Sequence, residues 1–212
     1  MAKQVAVVSD THGFLSKDLL KHLQHADLIV HAGDICSSED IKTLENIALL
    51  KLCLGNNDYG FSFAPQVKKN LHFIYGGLLW QVCHYRERLM PQLGGIEICG
   101  HTHKPFIDQS KKRLLVMNPG SPTFPRAEDG PTMGWIVVDS GEVQDAKIIH
   151  LDPASIGFSW CGHSFLIHRA LLGAACLRFH MLRLCLLVES MGYVRTHVVW
   201  SDRVSIEHEP EQ

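Results

Sequence analysis

The stretch Ser9-Asp10-Thr11-His12-Gly13 directly follows the apolar run Val5-Ala6-Val7-Val8. Four apolar residues that end abruptly at polar groups and a glycine are typical of a buried strand that runs into a loop. Asp10 and His12 stand two positions apart at the end of this strand. A carboxylate and an imidazole placed there can hold one divalent metal ion from one side. Taken alone, the same pattern also fits a plain turn.

Polar motifs follow other predicted strands in the same way. Strands are predicted at 28–32 and 49–54, and helical spacing of apolar residues at 16–23 and after Ser37 separates the first three strands. This alternation indicates a parallel sheet covered by helices, and such sheets build their sites at the carboxyl ends of strands. The motifs found there and at later strand ends are Gly33-Asp34, Gly55-Asn56-Asn57-Asp58, His84 and Gly100-His101-Thr102-His103.

The chain changes character after residue 70. Gly76-Gly77 and Ser140-Gly141 each separate two strand-like runs, which is a hairpin signal. Short strands are also predicted to end at Cys99 and Met117. A parallel half followed by a hairpin-rich half favours an α/β fold of two sheets packed face to face, with helices outside.

Composition limits the class of protein. The 212 residues are 46% hydrophobic and 20% charged with a formal net charge of -2, which is typical of a soluble globular domain. This charge gives no reason to expect a nucleic-acid polymer or a membrane as partner. The first residues lack the pattern of a signal peptide, so a cytoplasmic location is expected.

The seven Cys include no Cys-x-x-Cys pair and are interpreted as reduced thiols. The oligomeric state is left open, with a homo-oligomer among the candidates.

The composition shifts near residue 152. Residues 1–152 contain 11 Lys, whereas residues 153–212 contain none but have 5 Arg, 3 Cys and 5 His. We therefore divide the chain into a domain at 1–152 and a C-terminal extension of uncertain fold at 153–212. Three interpretations of the extension remain open: a helical hairpin packed on the domain, a helix that binds a partner or a membrane surface, and a segment without an evolved fold.

Seven groups at the strand ends form a candidate metal centre. They combine imidazoles, carboxylates and one amide oxygen without any thiolate, which favours Mn, Fe, Zn or Ni over a structural cysteine site. Seven groups are more than one ion needs, and they suit two ions that share a carboxylate. Two neighbouring ions can clamp a phosphoryl oxygen, so small phosphate esters are the natural substrates. The seven are Asp10, His12, Asp34, Asn56, His84, His101 and His103.

This order of motifs resembles the calcineurin-like metallophosphoesterases. The run Asn118-Pro119-Gly120-Ser121 followed by Pro125-Arg126 is similar to the small YfcE-type phosphodiesterases of bacteria and archaea. The resemblance covers about residues 3–151. It implies a four-layer α/β/β/α sandwich of two mixed sheets, to which the C-terminal extension is an atypical addition.

The resemblance also implies roles for the seven groups. One metal ion would be held by Asp10, His12, Asp34 and His103. The second would be held by Asp34 as the shared ligand with Asn56, His84 and His101. Mn is the favoured ion, with Fe, Ni or Zn as alternatives, and a hydroxide bridging the two ions would attack the phosphorus. Asp34, Asn56 and His101 are the residues assigned to catalysis.

Three departures from the family pattern affect the chemistry. Many members carry His where Asn57 stands, and the YfcE type often has Cys; an amide cannot protonate a leaving oxygen. Tyr85 and Arg86 replace the glycine and second histidine of the family's His-Gly-His, and Arg86 can meet phosphate as a bidentate donor. Arg86 and Asn57 are therefore the predicted substrate contacts. Only 17 positions separate His84 from His101, which is fewer than usual in the YfcE type. The helix that the resemblance implies at Glu87–Leu93 is therefore expected to be brief.

Two further residues and one other function are considered. Asp58 is expected to orient a neighbour or cap a turn, and His31 to be an ordinary histidine, with contact to a ligand residue as its alternative. The same fold also serves as a non-catalytic scaffold in the small subunit of the eukaryotic retromer coat. Scaffold relatives have replaced ligands, whereas all seven positions here hold competent groups, so hydrolysis is the favoured function.

Overall fold

The computed structural model describes residues 1–90, 93–109, 114–128 and 130–156. The predictions made for the extension beyond residue 156 lie outside these residues. Ten strands and two α-helices are described. The first half contains β1 (Lys3–Val8), α1 (Lys17–Leu23), β2 (Leu28–His31), α2 (Ser38–Ile47) and β3 (Leu49–Leu52). The second contains β4 (Asn70–Tyr75), β5 (Leu78–Cys83), β6 (Gly95–Ile98), β7 (Phe106–Asp108), β8 (Leu114–Asn118), β9 (Thr132–Asp139) and β10 (Glu142–His150).

The strands form two mixed sheets of five strands each. The first has the order β10-β9-β1-β2-β3, with β1, β2 and β3 parallel, as the strand–helix alternation predicted. The second has the order β4-β5-β6-β8-β7, with β5, β6 and β8 parallel. Tyr75 pairs with Leu78 across Gly76-Gly77, and β9 pairs with β10 across Ser140-Gly141, so both predicted hairpins are confirmed.

The main core lies between the two sheets. Side chains of Val7 and Val30 from the first sheet pack with Trp80, Ile98 and Met117 from the second, and all five have no measurable exposure. Full burial of such a side chain contributes about 1.5–3 kcal/mol. The two parallel blocks are thereby fixed against each other, and the loops at their carboxyl ends are fixed with them.

Both α-helices cover the other face of the first sheet. Ser16 Oγ accepts the Leu19 N–H at 3.2 Å at the start of α1, and Ser37 Oγ accepts the Asp40 N–H at 3.1 Å at the start of α2. Each serine satisfies a backbone donor that the helix cannot pair itself. Leu19, Leu23 and Leu44 then pack in a second core with Ala6, Val8 and Ile29.

The outer face of the second sheet differs from the prediction. The helix expected at Glu87–Leu93 is replaced, in its described part, by one turn of 3-10 helix at Arg86–Arg88. The buried side chain of Gln81 explains why the chain does not continue as a helix toward Met90. Its Nε2 donates to the Met90 backbone oxygen at 3.1 Å, and its Oε1 accepts the Met90 N–H at 3.2 Å. The α/β class with two packed mixed sheets is confirmed, and within the described residues both α-helices lie on the first sheet.

The described chain ends beyond the predicted boundary at residue 152. Pro153–Ile156 forms a 3-10 turn, and the Ile156 side chain is only 5% exposed. The Asp152 N–H bonds Asp18 Oδ2 at 2.9 Å. The packed structure thus includes the first residues assigned to the extension. In the part of the chain that is described, no helix is both long and apolar enough to cross a membrane.

Candidate metal centre

The ends of five strands bring all seven predicted groups together. Asp10 and His12 follow β1, Asp34 follows β2, and Asn56 follows β3. His84 comes directly after β5, while His101 and His103 follow β6. The carboxyl ends of the parallel strands in both sheets therefore meet at one place, as the polar motifs predicted.

One cluster contains Asp10, His12 and His103. Asp10 Oδ1 lies 3.2 Å from His103 Nε2 and 4.0 Å from His12 Nε2, and the two Nε2 atoms are 3.4 Å apart. Ligand atoms bound at about 2.0–2.2 Å around one Zn-sized ion are separated by distances of this order. The three groups can therefore hold one cation.

A second cluster contains Asp10, Asp34 and His84. His84 Nε2 is 3.5 Å from Asp34 Oδ2 and 3.9 Å from Asp10 Oδ1. Asn56 Oδ1 completes it at 3.1 Å from His84 Nε2 and 3.0 Å from His101 Nδ1. Asp34 Oδ2 is also 3.9 Å from His12 Nε2, so Asp10 and Asp34 both reach the two clusters.

The remaining hydrogen bonds leave several acceptor atoms of the two clusters facing one another. His84 Nδ1 is 2.8 Å from the Ala32 oxygen, and His103 Nδ1 is 2.6 Å from the Phe124 oxygen. A carbonyl can only accept, so both Nδ1 atoms carry the hydrogen and, in the neutral ring, Nε2 presents a lone pair. Asp10 Oδ1 is buried and has no hydrogen-bond partner among the described residues. A buried carboxylate oxygen facing imidazole nitrogens fits a divalent cation.

The pKa values of these groups reflect the crowding of charge. Burial lowers the pKa of His84, but the hydrogen bond to Asp34 and the charge of Asp10 outweigh it and raise the pKa. Burial raises the pKa of Asp34, yet hydrogen bonds from His84 and Asn57 bring it down to about 2. Burial lowers the pKa of His12 more than Asp34 and Asp10 raise it. Asp34 is therefore ionised at neutral pH.

Asn57 and Asp58 both fix the loop that carries Asp34. The Asn57 N–H donates to Asp34 Oδ1 at 2.7 Å, and Asn57 Nδ2 donates to Asp34 Oδ2 at 2.6 Å. The Asp58 carboxylate accepts the backbone N–H groups of Asp34, Cys36 and Gly55 at 2.8–2.9 Å. Asp58 thus orients its neighbours, as expected, while the amide of Asn57 is engaged by Asp34.

The backbone around the centre is held in an uncommon conformation. Asp10, His12, Asp34, His101 and His103 all have φ between 49° and 67°. Non-glycine residues adopt this left-handed region at a cost of about 1–2 kcal/mol each. Backbone of this kind persists only where the surrounding structure enforces it, and it concentrates at functional sites. Hydrogen bonds from Asp10 N–H to the Gly33 oxygen and from His12 N–H to the Asp34 oxygen enforce it here.

Several supporting residues were not assigned to the site from the sequence. Asn118 Nδ2 donates to the Gly100 oxygen at 2.8 Å, and Ser121 Oγ donates to the Asp10 oxygen at 2.8 Å. The sequence singled out Asn118-Pro119-Gly120-Ser121 as a family motif. It did not show whether this turn faces the metal centre. Phe124 acts on His103 through a backbone carbonyl, and a backbone contact leaves no sequence signal.

Arg86 and Tyr85 lie beside the centre and have other neighbours. Arg86 Nη2 is 3.6 Å from Asp108 Oδ2, and the guanidinium lies 4.6 Å from the Phe106 ring centroid. The Tyr85 ring is 4.5 Å from the His101 ring. Tyr85 thus borders one of the exposed ligands, and contact between Arg86 and phosphate stays a prediction.

Comparison with known proteins agrees with this geometry. Residues 4–141 match the family model described as the calcineurin-like phosphoesterase superfamily domain. A probable metallophosphoesterase from Methanocaldococcus jannaschii is 33% identical over 160 residues, which is 70% of this chain and 81% of that protein.

Two solved structures share the fold. The phosphoesterase YfcE from E. coli matches with a TM-score of 0.51 and 16% identity, covering 70% of this chain and 100% of that one. Vacuolar protein sorting 29 from Cryptosporidium parvum matches with a TM-score of 0.56 and 18% identity, covering 70% and 97%. At these identities the two structures bear on the fold alone.

Proposed function

Because the chain belongs to the calcineurin-like phosphoesterase superfamily, we propose that it is a dinuclear metal-dependent phosphodiesterase acting on small phosphate esters or nucleotides. The observation that carries the proposal is the convergence of acceptor atoms around Asp10 Oδ1. This buried oxygen has no hydrogen-bond partner among the described residues and lies within 4.0 Å of the Nε2 atoms of three histidines. Two divalent cations would neutralise that arrangement.

The residues divide between the two ions as follows. Asp10, His12, Asp34 and His103 would hold the first ion, and Asp34, Asn56, His84 and His101 the second. When bound, the ions supply Lewis-acid stabilisation of phosphoryl charge and make water a nucleophile near neutral pH. Mn is the favoured ion; Fe, Ni and Zn have the same ligand preferences within this set.

The protein's own groups perform the rest of the reaction. Asp10, Asp34, His84 and His103 are buried, whereas Asn56 and His101 are exposed, so substrate reaches the centre from the side of Asn56 and His101. His101 Nδ1 lies 3.0 Å from Asn56 Oδ1, so Nδ1 would be the ligand atom beside that oxygen and Nε2 would carry the hydrogen of the neutral imidazole. There it can donate a hydrogen bond to a phosphoryl oxygen and stabilise the charge that develops during attack.

The test combines metal analysis with hydrolysis. Purified protein stripped with a chelator and reloaded with Mn²⁺ should bind close to two ions per chain and hydrolyse bis-p-nitrophenyl phosphate. His101→Gln should lower kcat about tenfold or more, whereas His72→Gln, an exposed histidine on β4, should leave activity unchanged. A wild-type protein that binds no metal and shows no Mn²⁺-dependent turnover would overturn the proposal.

A scaffold function, as in the retromer small subunit considered from the sequence, is the second candidate. Vacuolar protein sorting 29 shares the fold at a TM-score of 0.56. Under this alternative the seven groups would be retained without turnover. Mn²⁺ binding without hydrolysis of any phosphate ester tested would support the scaffold over the enzyme.

A further inference from the structure

The side chain of Asn57 is directed at a ligand residue. Its backbone N–H bonds Asp34 Oδ1 at 2.7 Å, and its Nδ2 bonds Asp34 Oδ2 at 2.6 Å. We propose that Asn57 is a positioning residue, which fixes the Asp34 carboxylate for the two metal ions. This inference rests on the proposed function, since it presumes that cations occupy the centre.

The two bonds leave little freedom to the carboxylate. Rotation of Asp34 about its last side-chain bond would break both bonds at once, because each oxygen receives its own donor from the same residue. Each oxygen keeps a further lone pair. The Oδ2 lone pair is available on the side where His84 Nε2 lies at 3.5 Å and His12 Nε2 at 3.9 Å. Asn57 therefore selects the orientation in which Asp34 faces both clusters.

Asn57 itself is fixed by its neighbours. Asp58 accepts the N–H groups of Asp34 and Gly55 at 2.8 Å, which ties together the two loops that carry Asp34 and Asn57. Cys36 Sγ lies 3.7 Å from the backbone oxygen of Asn57 and adds a weak hydrogen bond. The backbone of Asn57 thus has a fixed relation to the group that it holds.

Three consecutive residues divide three tasks. Asn56 places its oxygen beside His84 and His101 as a further ligand atom, Asn57 donates from its nitrogen to Asp34, and the Asp58 carboxylate accepts from backbone N–H groups. An amide suits the middle task because it stays a neutral donor at every pH. This placement differs from the substrate contact predicted for Asn57 from the sequence, and the two roles have different experimental signatures.

The experiment compares wild type with Asn57→Ala and with Asn70→Ala, an exposed asparagine on β4 that serves as control. Mn²⁺ binding is measured by calorimetry without substrate, and Tm of the chelator-treated proteins confirms that each one folds. Asn57→Ala should weaken Mn²⁺ binding about tenfold or more, the usual effect of removing a group that orients a metal ligand. Asn70→Ala should bind as wild type does. Asn57→Ser replaces Asn57→Ala if the latter fails to fold.

Kinetics at saturating Mn²⁺ separate the two roles. KM for bis-p-nitrophenyl phosphate should change by less than about twofold in Asn57→Ala if the residue acts only on Asp34. Unchanged Mn²⁺ affinity, with or without a higher KM, would overturn the positioning role. A wild-type protein that binds no Mn²⁺ would overturn both the proposed function and this inference, whereas normal binding by wild type and Asn57→Ala alike would overturn the inference alone.

Discussion

His31 Nε2 lies 3.0 Å from Oγ1 of Thr11, the residue between Asp10 and His12. Its other nitrogen, Nδ1, accepts the N–H of Gly33, the residue before Asp34, at 3.3 Å. Since Nδ1 accepts, Nε2 carries the hydrogen and donates it to Thr11. One fully buried imidazole therefore joins the two loops that carry the carboxylates of the centre. It bonds Thr11 and Gly33, which are neighbours of ligand residues, rather than a ligand residue itself.

The first prediction concerns the pH dependence of stability. Burial lowers the pKa of His31 from 6.5 to about 3. The unfolded chain therefore takes up a proton on His31 below about pH 6.5, while the folded protein does not until about pH 3. Between pH 6 and pH 4 this residue should reduce the free energy of unfolding by up to about 1.4 kcal/mol per pH unit as the pH falls.

His31→Gln isolates this effect, because an amide can replace both hydrogen bonds without titrating. Urea unfolding of both chelator-treated proteins between pH 6 and pH 4 should give a smaller pH slope for the variant. Asp40, whose pKa burial raises to about 6, acts with the opposite sign but is common to both proteins. Equal slopes would show that His31 does not resist protonation.

The second prediction concerns the shared carboxylate. Asp34→Asn removes the negative charge that lies 3.5 Å from His84 Nε2 and 3.9 Å from His12 Nε2. We expect Mn²⁺ affinity to fall about a hundredfold and hydrolysis to fall below detection, as measured by calorimetry and by release of nitrophenol. Asp145→Asn, at an exposed position on β10, is the matched control. An active Asp34→Asn protein would refute the assignment of Asp34 as shared ligand.

The third prediction tests the close packing of the loops with two glycines. A Cβ at Gly55 would overlap Oδ1 and the backbone nitrogen of Asp34, whereas a Cβ at Gly60 would meet no atom within 4 Å. Gly55→Ala should displace Asp34 and lower Mn²⁺-dependent kcat/KM about a hundredfold, since misplacement by about 1 Å has an effect of that size. Gly60→Ala should match wild type in the same assay. Comparable activity of the two variants would contradict the packing.

The fourth prediction concerns the leaving group. The amide of Asn57 cannot protonate an ester oxygen, and general acid catalysis typically contributes about 10²–10⁴-fold. Esters with good leaving groups, such as nitrophenyl esters, should therefore react at least about a hundredfold faster than alkyl esters. The measurement is kcat/KM for a series of esters that differ in leaving-group pKa. Rates that do not vary along the series would indicate a proton donor elsewhere in the site.

The fifth prediction concerns the end of the folded domain. A chain ending at Asp152 loses the buried Ile156 side chain, which is 5% exposed, whereas a chain ending at Ile156 keeps it. Urea unfolding should show the shorter chain to be less stable by about 1–3 kcal/mol. Ile156→Ala in the full chain should reproduce much of this loss. Identical stabilities of the two shortened chains would place the boundary at residue 152.

The sequence was most informative where backbone geometry alone decides the outcome. Apolar runs that stop at Asp10, Asp34 and His84 are strand ends in any parallel sheet, so their convergence could be inferred before any distance was known. The two hairpins could likewise be predicted from Gly76-Gly77 and Ser140-Gly141. These signals are local, and each one needs only a few neighbouring residues to be interpreted.

Features that depend on distant partners could not be inferred in this way. Phe106–Asp108 is too short to show an alternating pattern, and it becomes a strand because β8 pairs with it. A helix was expected after Arg86, yet the side-chain amide of buried Gln81 hydrogen-bonds the backbone of Met90 and this segment follows an irregular course. His31 and Asn57 likewise acquire their roles from contacts across loops, which no spacing encodes.

The left-handed backbone at the ligands also bears on how such a protein can diverge. Glycine at Asp10, His12, Asp34, His101 or His103 would adopt the same φ without the steric cost of a Cβ, while deleting a metal ligand. Replacing these ligands by glycine would therefore remove backbone strain together with metal binding. The core between the two sheets would stay unchanged because it is built from other residues. A lineage with no further use for the ions can remove this backbone strain by discarding them. Retention of all five costly residues in this chain is what continued selection for metal binding would produce.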